Sequence, residues 1–139
     1  MQAKNFDTHR LISAIPILAY HDVADIGCGS GYFTVPLGKF LFDGKVYALD
    51  RRQENLNATR EAVEAVRLTN VDMMLLNEKN LPLEDESLDG ALIAFTLQEI
   101  SGARALLKDT LRCLKRSGWL AILEWHKRKM DEGPPLKQR

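Results

Sequence analysis

The sequence predicts a doubly wound α/β fold in which strands and helices alternate along one chain, and three observations carry that expectation. A short apolar run, Asp22 to Ile26, ends in the turn Gly27-x-Gly29-x-Gly31, and an apolar-periodic segment opens at once beyond it. A second β-branched and aromatic run, Lys45 to Asp50, closes on an acid. That acid falls roughly 20 residues past the glycines, where a βαβ nucleoside site places its ribose-binding carboxylate. Further on, apolar runs keep alternating with segments of helical period over short links, which implies a parallel sheet with right-handed crossovers.

The elements follow in order. Residues Asp7 to Ile15 predict a short helix, with Asp7 at its N-cap, Leu11, Ile12 and Ile15 on one face, and Pro16 ending it. That face reads as packing on the sheet, with a substrate lid as the other option. Asp22–Ile26 is the first strand, and Tyr32–Phe42 the first long helix, with Phe33, Leu37, Phe40 and Leu41 facing inward. Asp43-Gly44 supplies turn chemistry before the second strand, Lys45–Asp50. Gln53–Arg67 is the next helix, its stripe made by Leu56, Ala62, Val63 and Val66, and Val71–Leu76 the third strand. An irregular loop from Asn77 to Leu83 leads to a fourth strand at Gly90–Phe95. Gly102–Arg116 is a helix carrying Leu106, Leu107, Leu111 and Leu114, ended by Ser117-Gly118, and Trp119–Trp125 is strand five. The whole reads as one domain over residues 1–139, with an N-terminal helical segment to residue 20 and a polar tail from 126 in which Gly133-Pro134-Pro135 forbids regular structure.

Composition excludes several function classes. The chain is 45% hydrophobic and carries 19 basic and 19 acidic residues, so no positive excess steers it toward nucleic acid. The longest apolar stretch, Leu11 to Tyr20, is short and broken by Pro16, which predicts no membrane span. Asp7 and the lack of a small-residue cleavage site argue against a signal peptide, so the expected location is cytoplasmic. Cys28 and Cys113 form no metal-type spacing, and neither looks like an activated thiol.

Together, the Asp25-Ile26-Gly27-Cys28-Gly29-Ser30-Gly31 turn, Asp50 and the Leu76–Pro82 segment resemble the class I S-adenosylmethionine (SAM)-dependent methyltransferases, and most closely their ubiquinone/menaquinone-type small-molecule branch. The first motif of that family reads Asp-x-Gly-x-Gly-x-Gly. The dinucleotide fingerprint would instead need a glycine at Tyr32, which disfavours a nucleotide-dependent oxidoreductase. The resemblance covers about Asp22 to Glu124 and implies a Rossmann-like, mostly parallel five-stranded sheet of order 3-2-1-4-5. It also implies a further antiparallel strand pair that this chain lacks, so a binding module completed by another chain stays open as the alternative to an enzyme.

What the resemblance implies for the site can be stated residue by residue. Gly27, Cys28, Gly29 and Gly31, with the helix N-terminus beyond them, receive the methionine end of SAM, and Asp25 attracts its ammonium or satisfies donors of the turn. Asp50 accepts from the ribose hydroxyls. Arg51 covers the adenine edge or points to solvent. Asn77 stands where the family carries an adenine-binding Asp; its amide oxygen still accepts, while Glu78 offers a backbone N–H. Ala94 and Phe95 lie beside the sulfonium and ribose. Methyl transfer is an in-line displacement on an activated group, so positioning does much of the work, and a base matters only where the acceptor loses a proton. Glu99 is the first candidate for that base and His126 the second; both also read as solvated positions. The expected acceptor is a small molecule, and no metal is called for. Strand five, apolar and bearing Trp119 and Trp125, predicts a homodimer through that strand, the preceding helix or the tail.

Overall fold

The computed structural model describes residues 8–77, 80–94 and 102–123. Within them the order is α1 (Thr8–Ala14), β1 (Asp22–Ile26), α2 (Thr34–Phe40), β2 (Lys45–Asp50), α3 (Gln53–Ala65), β3 (Val71–Leu75), β4 (Leu88–Ala94), α4 (Ala103–Cys113) and β5 (Leu114–Leu123). The five strands form one sheet in the order β3-β2-β1-β4-β5, and every pairing is parallel. The expected doubly wound topology is therefore the one observed.

Alternation along the strands sorts side chains onto two faces. Val23, Val46 and Leu92 join Leu11, Ile12, Phe33, Leu37 and Leu41 in a core under α1 and α2. Ala24, Ile26, Leu49, Ala91 and Ile93 join Leu81, Leu106 and Cys113 in a second core under α4. Both faces are covered, as a parallel sheet requires. β1 sits at the centre, paired with β2 on one side and β4 on the other, so the strand order reverses there. The crevice outside the carboxyl ends of β1 and β4 is where such sheets bind ligands.

Several packing assignments differ from expectation. Phe40 and Leu111 are exposed, because Thr34 and Gly38 complete the buried stripe of α2 while Thr110 and Cys113 complete that of α4. Thr110 tolerates burial by donating its hydroxyl to the Leu106 carbonyl at 2.7 Å. Val66 is exposed because α3 stops at Ala65, with Arg67 turning out of the helix at φ 61°. In α3 the place next to Leu56 and Val63 belongs to Thr59. Ser117-Gly118 does not end α4: the backbone turns extended at Leu114, and β5 begins there. Its register steps from Leu88↔Leu114 to Gly90↔Trp119, a bulge that leaves residues 115–118 opposite Asp89. Gly90 is obligatory in that pairing, since a Cβ would sit 2.0 Å from the Trp119 ring. The Asp7 cap and the residues from Glu124 onward lie outside the described residues.

Candidate functional site

Parallel pairing brings the carboxyl ends of β1 to β4 to one edge of the sheet, and with them Asp25, the glycine turn, Asp50, Asn77 and Ala94. The turn is wired to β2 by its own hydrogen bonds. Gly27 and Cys28 both donate to the Leu49 carbonyl, at 2.7 and 3.0 Å, and Gly31 donates to the Cys28 carbonyl at 3.0 Å. The Gly29 N–H donates to Asp50 Oδ2 at 2.9 Å. Of the four N–H groups of the turn expected to receive the methionine end, three are thus engaged by β2 and one within the turn itself, and Ser30 is left exposed at its tip.

Positive φ at Gly29 and Gly31, 58° and 92°, makes this path possible. The two glycines serve different ends. A Cβ on Gly31 would touch Thr59 at 3.4 Å, so this glycine lets α3 approach. A Cβ on Gly29 would meet nothing within 4 Å, so its open side is space a ligand can use. Thr59, wholly buried, closes the arrangement by donating its hydroxyl to the Gly29 carbonyl at 2.8 Å. The Cys28 thiol also lies 3.4 Å from the Thr59 hydroxyl. Burial first, then the Asp25 charge, push the thiol pKa to about 12, so Cys28 is a packing residue and only its backbone faces the turn.

Asp50 ends β2, 7% exposed. Its Oδ1 accepts from the Arg52 N–H and from Asn55 Nδ2, both at 3.0 Å, while Oδ2 accepts from Gly29. With about four lone-pair directions on a carboxylate, three are used. One further donor fits as the site stands, and a second requires Asn55 to swing aside. Arg51, next in the chain, is exposed.

Asp25 lies on the face of β1 toward α2, 1% exposed, and takes the Thr34 hydroxyl on Oδ2 at 2.6 Å. Burial raises its pKa to about 6; the Thr34 hydrogen bond opposes the rise and the charge of Asp50 adds to it. A buried carboxylate held up in this way is stabilised by any cation that comes within reach.

Beyond β3, Asn77 is exposed and its Oδ1 accepts the Asn80 N–H at 2.9 Å, so the side chain also shapes its own loop. Ala94 is buried at the end of β4. Glu78, Phe95, Glu99 and His126 lie outside the described residues. Sequence reasoning missed Thr34, Asn55 and Thr59, each a polar residue on a helix whose partner lies outside that helix, in a strand or in the glycine turn. Among the described residues no group of three His, Cys, Asp or Glu side chains could hold a metal. The donor set matches the other expected group: one buried carboxylate with a spare acceptor direction for a diol, a second suited to an ammonium, and an open-sided glycine between.

Comparison with known proteins agrees with this chemistry. A family model described as a methyltransferase domain matches residues 24–122. The demethylmenaquinone methyltransferase of Bacillus mycoides is 35% identical over 101 residues, covering 72% of this chain and 43% of its own length. The chain thus spans under half the length of the curated relatives it matches. Among solved structures, a SAM-dependent methyltransferase from Aquifex aeolicus aligns with a TM-score of 0.90 and 33% identity, over 96% of this chain and 72% of that one. A phosphoethanolamine N-methyltransferase from Haemonchus contortus, solved with phosphoethanolamine and S-adenosylhomocysteine, shares the fold at a TM-score of 0.73 and 21% identity, over 83% of this chain and 24% of its own.

Proposed function

Because the chain belongs to the class I SAM-dependent methyltransferase family, we propose that it binds SAM at the carboxyl ends of β1 and β2 and methylates a small molecule of the quinone type. The observation that carries the cofactor reading is the buried Asp50 carboxylate bonded to the N–H of Gly29, a glycine on which a Cβ would meet nothing within 4 Å. The acceptor class rests on the name borne by the Bacillus relatives.

Bound there, SAM supplies a methyl group already activated by a sulfonium. The chain's own part is placement. Asp50 accepts a ribose hydroxyl in its remaining direction, and both hydroxyls once Asn55 yields. Asp25 faces the ammonium and is held ionised by it. Thr34 orients Asp25 through its hydroxyl, and Thr59 holds the Gly29 carbonyl so that the turn keeps its open side. Asn77, whose Oδ1 accepts the Asn80 N–H, takes the adenine edge with its side-chain amide. Arg51, Glu78, Ala94 and Phe95 complete the proposed set of cofactor contacts. Where the acceptor loses a proton, Glu99 and His126 are the candidate bases. The working form is a homodimer joined through β5, in the cytoplasm; among the described residues, no helix is long and apolar enough to cross a membrane.

The test is calorimetry with S-adenosylhomocysteine, then methyl transfer by the purified chain to demethylmenaquinone, oxidised and reduced. Micromolar binding with turnover supports the proposal. Binding without turnover on either form leaves the cofactor site and removes the quinone acceptor, favouring a module completed by another chain. No binding refutes the proposal at its root.

A further inference from the structure

Resting on that cofactor reading, we propose that Arg112 and Asp109 on α4 are positioning residues for base recognition: they clamp the loop after β3 so that Asn77 presents one fixed edge to adenine. Neither residue stands at the strand ends, and the polar wiring alone reveals them.

A guanidinium has five N–H donors in a rigid fork, and all five of Arg112's are engaged. Nε donates to Asp109 Oδ1 at 2.8 Å and Nη2 to Asp109 Oδ2 at 3.0 Å, a bidentate pair. Nη2 also reaches the Leu81 carbonyl at 3.1 Å, and Nη1 the Leu83 carbonyl at 3.0 Å and Asp85 Oδ1 at 2.6 Å. Asp109 Oδ2 accepts the Leu81 N–H at 2.5 Å. One residue pair on α4 therefore grips the loop at both polar groups of Leu81, at the Leu83 carbonyl and at Asp85. The hydrogen bonds from Arg112 hold Asp109 below the usual carboxylate range, so the clamp stays charged at neutral pH.

The other end of the loop is fixed as well. Leu76 donates to the Asp50 carbonyl at 2.8 Å, which ties the loop's start to the strand end that carries the ribose-binding candidate. Between the anchors, Asn80 donates to Asn77 Oδ1, and Leu81 is buried in the same core cluster as Leu106 of α4. Asn77 is thus one residue from the Asp50 tether and four from the Arg112 clamp. An exposed pair such as Arg112–Asp85, with the Asp85 side chain 74% exposed, adds little to global stability. What five saturated donors do accomplish is to remove conformational freedom from a loop that would otherwise lose it on binding.

The experiment compares S-adenosylhomocysteine with S-inosylhomocysteine, whose base lacks the exocyclic amine, by calorimetry on the full chain. Wild type is expected to prefer the adenine ligand by roughly 5–10-fold, the range of one good hydrogen bond. In Arg112→Met the preference falls to within about twofold, the loss expected once that bond is no longer held in place. Asp109→Asn, which keeps an acceptor for Leu81 but loses the charged partner of Arg112, moves the ratio the same way and decides the matter if Arg112→Met does not fold. Hydrogen exchange on the unliganded protein gives an independent readout: the Leu81 amide exchanges at least tenfold faster in either variant, while amides of β1 and β4 are unchanged. A folded variant that keeps the wild-type base preference, with both affinities lowered together or neither, overturns the inference and leaves the clamp a structural feature. Wild type that binds both ligands equally also overturns it while sparing the cofactor site, and wild type that binds neither refutes the cofactor reading on which it rests.

Discussion

Replacing Asp25 by Asn separates what the fold needs from what the ligand needs. In the wild type a carboxyl that is 1% exposed has its pKa raised from 3.8 to about 6, so the folded chain holds a proton that the unfolded chain has released between those values. Folded protein binding more protons than unfolded means that stability falls as pH rises through this window and is flat above it. The rise corresponds to ~3 kcal/mol. Asn cannot ionise and escapes that loss, and its amide oxygen can take the Thr34 hydroxyl that now donates to Oδ2. Its NH₂ is a new buried donor whose desolvation costs about 1 kcal/mol or more, so the net gain above pH 7 is about 1–2 kcal/mol. Below pH 4 the gain disappears. Urea denaturation followed by tryptophan fluorescence at pH 5, 6, 7 and 8 measures both arms, and thermal melting should show roughly 3–8 °C. On the proposed reading the same substitution weakens S-adenosylhomocysteine by about tenfold, a charged hydrogen-bond partner's worth. Equal stability of the two proteins at pH 8, with parallel pH dependence, would refute the argument that burial strains this carboxylate.

Asp50→Ala is expected to weaken S-adenosylhomocysteine at least ~10-fold by calorimetry, and also to lower the melting temperature, because Gly29, Arg52 and Asn55 lose their common acceptor. Equal affinity would remove Asp50 from the ribose. With Cys28 held at about 12 and both cysteines buried, a thiol reagent at pH 8 should label neither in the native protein within minutes and both in denaturant; rapid native labelling of Cys28 contradicts the packing. β5 forms one edge of the described sheet and exposes Ile122 at 44%, so sedimentation should find a dimer at micromolar concentration that Ile122→Lys converts to monomer. A monomeric wild type ends that proposal.

The strands were legible and the helix faces only in part, for one physical reason. β1 and β2 are buried on both faces, so their residues read as near-continuous apolar runs whose ends coincide with the observed Asp22–Ile26 and Lys45–Asp50. A helical stripe is harder to read when threonine sits in it. Thr34, Thr59 and Thr110 are wholly buried because each hydroxyl finds an acceptor, and no pattern of apolar residues announces that. Counting threonine as polar turned Phe40 and Leu111 inward in its place, whereas Val66 was misplaced because α3 stops at Ala65. Within the site, Asp25 and Asp50 were legible because topology alone puts strand ends together. Arg112 was not, since its partners lie 27 to 31 residues away in a loop without periodicity. The bulge opposite Asp89 was equally hidden, because register is set by the partner strand and by the space Gly90 leaves for Trp119.

Asp25 and Asp50 lie at the carboxyl ends of adjacent parallel strands, and the charge of Asp50 makes that of Asp25 harder to hold. The Gly29 N–H of the turn is spent on one carboxylate and the Thr34 hydroxyl of α2 on the other. That wiring offsets part of the repulsion without removing a full charge, so this edge of the sheet retains a preference for cations. On the proposed reading the preference has a direction. SAM carries one positive charge overall, whereas its product has lost the sulfonium charge and is neutral. The two carboxylates therefore attract the methyl donor more strongly than the spent product, and the charge that leaves with the methyl group lowers the site's hold on what remains. A substitution that neutralises either carboxylate should narrow the gap between donor and product as well as weaken both.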